Sequence, residues 1–264
     1  MKLPKKILIV IAILTVGGMI AIGMSIKSQQ QAVVEAATRQ ALNEIGVLVT
    51  MDSNRQHVQG IALLPSTQQE VLEQTIQLVA KLPQLEVLRL LGTRVTDKQL
   101  TQISTNTSLT MLGLSKTNIG DMGLKQLRSL SNLQALYLAA TRVTDQGLES
   151  VGKLHSLEIL DLSKTSLEGD LASLLPLDQL SHLLLSDVSL SDAAVANLLQ
   201  LKSLSRLTIL GSTLSEKADN KLDQAGIKID RESEPDIEHA DGTSGEPTED
   251  NSLAGEDSSS TSKQ

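Results

Sequence analysis

The amino-acid sequence predicts an α/β solenoid in which each coil contributes one short strand and one helix. A leucine-centred motif starts at Leu85, Leu109, Leu133, Leu157, Leu180 and Leu204, at intervals of 24, 24, 24, 23 and 24 residues, and a weaker copy starts at Val58. Within each copy the apolar residues first alternate, as in a strand, and then recur every three or four residues, as in a helix. Leucine supplies 48 of the 264 residues, which is typical of a core built from stacked repeats.

The N-terminal segment predicts a membrane anchor. Residues 1–6 form a basic stub with three lysines, and residues 7–26 (ILIVIAILTVGGMIAIGMSI) carry no charge. Twenty helical residues span about 30 Å, the thickness of a bilayer's hydrocarbon core. Because basic flanks stay in the cytoplasm, we expect a single-pass protein with a cytoplasmic N-terminus and an extracytoplasmic repeat domain, periplasmic or at the cell surface. A cleaved secretory signal, with a small-x-small site at residues 21–23, is the alternative.

Three further parts follow this segment. Residues 27–57 contain no Pro, and we expect a stalk helix and an N-terminal cap there. Residues 58–230 hold the repeats and end in DQAGIKID, which predicts a closing strand. Residues 231–264 contain ten acidic and two basic residues, which account for the whole net charge of −8. Few apolar residues accompany them, so we expect a disordered acidic tail.

Each repeat also predicts which side chains face the core. Counted from the first leucine as offset 0, the residues at offsets 0, 3 and 5 are apolar, as in Leu133, Leu136 and Leu138. The second half of a repeat places apolar residues at helical spacing. The residues expected at the helix N-caps are Thr96, Thr144, Ser191 and Ser215. An acidic residue follows each of them, and hydroxyl and carboxylate groups both stabilise the amide end of a helix.

Repeats such as LYLAATRVTDQGL, with their T-x-V-T-D-x-G-L core, resemble the leucine-rich repeat family. The similarity covers about residues 58–222. The repeat core resembles that of bacterial membrane-attached or secreted leucine-rich repeat proteins and also the repeat region of F-box proteins, although the chain has no F-box sequence. The resemblance implies a curved solenoid, with a parallel sheet on the concave side and short helices on the convex side, and a protein-binding role. It identifies no ligand. The Cys or Asn common at the strand end in that family is Thr here.

Composition excludes several kinds of function. The chain has no Cys, which excludes disulfides, thiolate metal sites and a cysteine nucleophile. Tyr137 is its only aromatic residue and its net charge is negative, so we expect no nucleic-acid partner. The four histidines are scattered and no Gly-x-Ser-x-Gly sequence or phosphate-binding glycine loop occurs. We therefore expect a protein that is not an enzyme and needs no cofactor.

Two columns of polar residues recur through the repeats. The acidic column consists of Asp97, Asp121, Asp145 and Asp192, and the threonine column of Thr93, Thr117, Thr141 and Thr165. Calcium needs six to eight oxygens around one point, whereas each acid stands at its own helix start, so we expect no metal site. We expect the threonine hydroxyls to bond the backbone of the neighbouring coil. Asn106 begins an Asn-Thr-Ser sequence that matches a glycosylation acceptor.

The side chains at offsets 2, 4 and 6 should point away from the core, on the strand face that we call the outer sheet face. The candidate partner-binding residues on it are Val87, Arg89, Met111, Tyr137, Ile159, Asp161, His182 and Arg206. Exposed apolar surface with Tyr and Arg anchors is typical of an interface. We expect a membrane-tethered module that binds a protein or peptide here. The alternatives are a structural envelope component that self-associates and a secreted leucine-rich repeat protein.

Overall fold

The computed structural model describes residues 28–212 and 214–231, which form an α/β solenoid with one nine-stranded sheet. The strands are β1 (Leu48–Met51), β2 (Val58–Ala62), β3 (Val87–Arg89), β4 (Met111–Gly113), β5 (Ala135–Tyr137), β6 (Ile159–Asp161), β7 (His182–Leu184), β8 (Arg206–Thr208) and β9 (Lys228–Asp230). They lie side by side in chain order. β1 is antiparallel to β2, and every later pair is parallel. The predicted stacking of one strand per repeat is therefore confirmed.

Helices connect most of these strands. They are α1 (residues 28–44), α2 (Gln69–Val79), α3 (Asp97–Ile103), α4 (Asp121–Leu124), α5 (Asp145–Val151), α6 (Asp192–Leu198) and α7 (Glu216–Gln224), with 3-10 segments at Lys125–Ser129 and Ala172–Leu174. Ser191 Oγ accepts a hydrogen bond from the Ala194 backbone amide, and Ser215 Oγ accepts one from Ala218. Thr144 caps α5 in the same way, and Thr96 starts α3 in a capping box with Gln99. The four predicted N-caps are confirmed.

The core consists of the leucine columns that the repeat spacing predicts. Leu133, Leu136 and Leu138 of the third repeat are fully buried, and the same offsets are buried in the repeats on either side. The core is continuous from Leu42 of α1 to Ile227 before β9. Because each coil covers the apolar face of the next, stability is a sum over neighbouring coils.

One backbone feature recurs in every repeat. The residue at offset 7, just after the strand, has a left-handed conformation with φ between 54° and 72°, and these residues are Gly92, Lys116, Ala140, Lys164, Asp187 and Gly211. Left-handed backbone turns the chain sharply from the strand towards the helix side. Only two of the six positions are glycine, so the residue types gave no consistent signal for this turn.

The fourth repeat departs from the predicted strand-plus-helix unit. Its helix is replaced by the 3-10 segment Ala172–Leu174, which follows a left-handed Leu171. This repeat is one residue shorter and lacks the Val-Thr-Asp stretch, having Ser166-Leu167-Glu168-Gly169-Asp170 instead. Pro176 follows the segment, and Leu175 before it still has right-handed helical backbone, with φ of −55° and ψ of −29°. The expectation of one helix per repeat is therefore wrong for this coil.

Both ends of the sheet have additional structure. At the N-terminal end, Glu35 of α1 is buried, and its Oε1 accepts a hydrogen bond of 2.8 Å from the Val58 amide. Its Oε2 lies 2.9 Å from His57 Nδ1. At the C-terminal end, the closing strand expected in DQAGIKID is β9, which pairs with β8. The Glu35 contacts attach α1 to the first coil.

No helix within residues 28–212 and 214–231 is long and apolar enough to cross a membrane. The basic stub (1–6), the expected anchor (7–26), the first residue of the expected stalk and the acidic tail beyond Arg231 lie outside the described residues. The membrane anchor and the tail therefore stay predictions from the sequence.

Candidate partner-binding face

The outer sheet face carries two parallel rows of side chains, one from offset 2 and one from offset 4. The first row runs Val87, Met111, Ala135, Ile159, His182, Arg206, Lys228, and the second runs Arg89, Gly113, Tyr137, Asp161, Leu184, Thr208, Asp230. Neighbouring strands lie about 4.8 Å apart. All eight candidate residues thus lie in two adjacent rows. The register of the leucines alone predicts this arrangement.

These eight side chains differ in their exposure. Tyr137 and His182 are only 2% and 8% exposed, and Ala135 is also buried. The other six candidate residues are partly buried. We had expected an open apolar lane with Tyr137 as an exposed anchor, and Tyr137 does not have that exposure. Close strand spacing allows side chains in adjacent rows to cover one another, which a single repeat does not reveal.

Arg89 and Asp161, the charged residues that flank Tyr137, both have contacts, one across coils and one within a coil. Arg89 Nη2 lies 3.7 Å from Met111 Sδ in the next coil. Asp161 Oδ1 accepts a hydrogen bond of 2.9 Å from the Ser163 amide in its own coil. The charged side chains at the centre of the face therefore have partners within the sheet and its turns.

The C-terminal end of the face is a polar cluster. His182 Nε2 lies 3.1 Å from Thr208 Oγ1. Asp230 contacts two cations, with its Oδ2 3.4 Å from Arg206 Nε and its Oδ1 2.7 Å from Lys228 Nζ. The hydrogen bond from Lys228 lowers the pKa of Asp230, and the charges of Lys228 and Arg206 act in the same direction against desolvation. Sequence reasoning missed Lys228 and Asp230 because it treated β9 only as a closing strand.

The N-terminal end of the face is apolar and open. Leu48 of β1 and Leu64, just after β2, are 58% and 57% exposed. Leu91 occupies the same offset as Leu64 in the next coil and is partly exposed. Leu48 pairs with Ala62 across β1 and β2, so it lies diagonally next to Leu64 on the same face. Sequence reasoning placed Leu64 and Leu91 on this face but missed Leu48, because β1 runs antiparallel and lies outside the repeat register.

The acidic column has a structural role that its sequence position did not reveal. Asp97 Oδ1 accepts from the Gly120 amide at 3.0 Å, and Asp121 Oδ1 accepts from the Thr144 amide at 2.9 Å. Asp145 accepts from the amides of Glu168 and Gly169. The carboxylates of Asp97, Asp121 and Asp145 thus bond the backbone of the following coil. Within the described ranges, no group of three His, Asp or Glu side chains could hold a metal ion.

The threonine column bonds differently from the expectation. Thr93, Thr117 and Thr141 are buried, and each hydroxyl donates to the carbonyl oxygen three residues earlier in its own coil. Thr165 does the same. The left-handed residue between strand and threonine brings this carbonyl within reach. Ser212, at the same offset in the last repeat, does bond a neighbouring coil, since its Oγ donates to the Leu185 carbonyl at 2.7 Å.

Asn106 is a structural residue in this fold. Its side chain is 3% exposed, and its Nδ2 donates to the carbonyl oxygens of Val79 and Leu82 at 3.0 and 2.8 Å. A glycan would have to be attached at this buried nitrogen, which already donates two hydrogen bonds. The geometry therefore argues against modification of Asn106 in the folded protein.

The fold is of the leucine-rich repeat type, and the chain is similar to solved structures of that class. An internalin C2 from Listeria monocytogenes matches with 18% identity and a TM-score of 0.51, over 66% of this chain and 81% of that one. A second Listeria monocytogenes internalin matches with 18% identity and a TM-score of 0.49, over 76% and 62%. A leucine-rich repeat protein of Leptospira interrogans has 21% identity and a TM-score of 0.41, over 58% and 45%. No protein-family model and no curated protein sequence matches the chain.

Proposed function

We propose that this chain is a non-enzymatic, membrane-tethered leucine-rich repeat protein that binds a protein or peptide partner on its outer sheet face, outside the cytoplasm. The sheet supplies a preorganised surface, because its strands are fixed by neighbours on both sides. Preorganised surfaces bind with little loss of conformational entropy. The leucine-rich repeat fold of the structural neighbours agrees with a recognition role.

The observation that carries this proposal is the uneven chemistry of the outer sheet face. The two most exposed leucines of the face (Leu48, Leu64) lie at one end, and the charged cluster around Asp230 lies at the other end, near the less exposed Leu210. Adjacent exposed apolar side chains, unlike single scattered ones, are typical of an interface. The polar cluster then fixes orientation, because charged groups contribute more to specificity than to affinity.

Sequence features support the membrane tether. Residues 7–26 are long enough to span a bilayer, and the basic residues before them favour a cytoplasmic N-terminus. Alkaline extraction of native membranes, followed by mass measurement of the chain, tests this part. We expect the chain to stay in the membrane pellet with residues 1–26 attached. Release of a shorter chain would instead favour a cleaved signal peptide.

Site-specific photocrosslinking in native membranes tests the partner-binding part. A photoreactive residue at Leu64 or Arg206 samples the two ends of the face, and one at Met122, 61% exposed on α4, is the control for the helix side. We expect the same partner to be captured from both face positions and not from Met122. Binding of the purified partner should then weaken in Leu64→Asp and stay unchanged in Met122→Asp. Equal capture from all three positions would contradict the proposal.

A further inference from the structure

Helix α1 has one face that is attached to the solenoid. Gln31, Glu35, Thr38 and Leu42 follow one another at intervals of four, three and four residues, so they lie on one side of the helix. Gln31 Nε2 donates to the Lys81 carbonyl, Glu35 bonds His57 and Val58, and Leu42 is fully buried. This face fixes the position and direction of α1 on the first coil.

The opposite face of α1 has a different character. It carries Gln29, Val33, Ala36 and Gln40, which we call the α1 outer stripe, and all four side chains are exposed. Val33 is 70% exposed, and Val34 beside it is also exposed. No charged residue lies on the stripe, and Ala32 and Ala37 flank it. A helix face that meets only water normally carries charged residues.

The spacing of the outer stripe is that of a two-stranded coiled coil. Intervals of four, three and four residues match the alternating a and d positions of a heptad. In the sequence the same intervals continue towards the N-terminus to Ile26 and Ile22. Alanine beside the seam allows close approach of a second helix. The stripe therefore fits a second helix lying parallel to it.

We propose that the α1 outer stripe pairs in parallel with the same stripe of a second copy of this chain. The proposal rests on the membrane tether of the proposed function. The apolar segment 7–26 ends two residues before Ser28, the first described residue of α1. Two tethered copies enter from the same side of the bilayer, so their α1 helices are parallel and at the same height.

The tether explains why the helix that pairs with the α1 outer stripe belongs to a second copy of this chain. Four seam positions give a short contact that is marginal for free chains in water. Anchoring both chains in one membrane raises their effective concentration without any new contact. The pairing leaves the outer sheet face of each copy available, because that face belongs to β1–β9 and not to α1.

Cysteine crosslinking of the full chain in membranes tests the pairing. The natural sequence has no Cys, so each introduced thiol is unique. Single substitutions Val33→Cys and Ala36→Cys are compared with Gln31→Cys and Val34→Cys, which lie about 100° or more round the helix from both, and with Met122→Cys on α4. After copper-phenanthroline oxidation, we expect several-fold more disulfide dimer at positions 33 and 36 than at the other three.

A second variant separates pairing from chance encounter. Val33→Asp combined with Ala36→Cys should lose most of the crosslink, because two carboxylates would face each other across the seam. Met122→Asp combined with Ala36→Cys should keep it. Equal crosslinking at all five positions, or its persistence with Val33→Asp, would overturn the proposal.

The remaining outcomes distinguish this proposal from the tether on which it rests. Suppose that the chain is in the membrane and that the thiol at position 33 neither forms crosslinks nor reacts with a water-soluble maleimide. In that case lipid or another protein covers the stripe, and the pairing is overturned. A reactive thiol without crosslinking also overturns it. If the chain is soluble, the tether is wrong. In a soluble chain, crosslinking confined to positions 33 and 36 would still support the pairing. Absence of this crosslinking would overturn both the pairing and the tether.

Discussion

At the scale of single residues, aspartate side chains link one coil to the next by hydrogen bonds. Asp121 illustrates this, since its Oδ1 bonds the Thr144 amide and its Oδ2 the Thr144 hydroxyl. Gly147 lies beside that carboxylate: a methyl group there would be 2.5 Å from Asp121 Oδ1 and 3.0 Å from Leu124 Cδ1. The same relation holds between Asp97 and Gly123. The Asp and Gly of the repeat motif are therefore a pair, with one member in each coil.

Gly147→Ala should consequently destabilise the fold, although alanine normally favours a helix over glycine. The added methyl must displace a carboxylate that is held by two hydrogen bonds, and overpacking of this kind costs about 1–3 kcal/mol. Denaturant unfolding measures the change. In an Asp121→Ala background the same substitution should cost much less, because its clash partner is gone. Additive costs in the double variant would contradict this account.

Ala140→Gly should have the opposite effect. Ala140 has φ of 54°, a conformation that costs an L-residue about 1–2 kcal/mol. Part of that gain is lost to the greater freedom of glycine in the unfolded chain, so we expect a net stabilisation of about 0.5–1 kcal/mol. Ala139→Gly, one residue earlier with ordinary backbone, is the matched control and should lower the free energy of unfolding. A loss of stability in Ala140→Gly would disprove the strain argument.

Among the elements, the terminal ones depend most on charged contacts. α1 is attached through Glu35, and β9 carries Lys228 and Asp230 beside Arg231. β9 is the last strand of the described sheet. Charged side chains on an edge strand discourage pairing with another molecule. The cluster around Asp230 thus serves two purposes, since it closes the sheet and forms the polar end of the outer sheet face.

Asp230→Asn should reduce the acid sensitivity of the fold. Lys228 and Arg206 lower the pKa of Asp230 from its ordinary value of 3.8. The ionised carboxylate therefore stabilises the folded state above that pH, and the contribution is lost as pH falls through the lowered pKa. Unfolding midpoints measured from about pH 5 to about pH 3 should fall less in the variant, which should also be less stable at neutral pH. Parallel curves for both proteins would contradict this cause.

The described repeats form a one-dimensional stack, and the fourth coil interrupts its row of helices. There the 3-10 segment Ala172–Leu174 takes the place of a helix between α5 and α6. In a stack whose stability is a sum over neighbours, a poorer interface lets the two sides open separately. The chain beyond β6 should therefore behave as a less protected unit.

Hydrogen exchange measures this difference. We expect a step in protection between β6 and β7, with the amides of β7, β8 and α6 exchanging faster than those of β4, β5 and α5. Fraying from the C-terminal end alone would give a gradual decline towards β9. A gradual profile, or equal protection on both sides of the fourth coil, would refute the weak interface.

Much of the fold could be predicted from the sequence, and particular residues show why. Leu136 faces the core because alternation in a strand is a local property, and Ser191 caps a helix because its partner is three residues away. The role of Asp121 could not be predicted in this way. Its partner, Thr144, is 23 residues away, and only stacking brings the two together.

The sequence by itself determined the repeat register, the inward leucines, the helix starts and the membership of the outer sheet face, because each depends on spacing within one coil. Only the tertiary structure decided how open that face is, that Tyr137 is covered, and that Leu48 joins it from an antiparallel strand. It also decided the partners of the Asp and Thr columns. Exposure and cross-coil hydrogen bonds depend on atoms of neighbouring coils, and their positions are fixed only when the stack has formed.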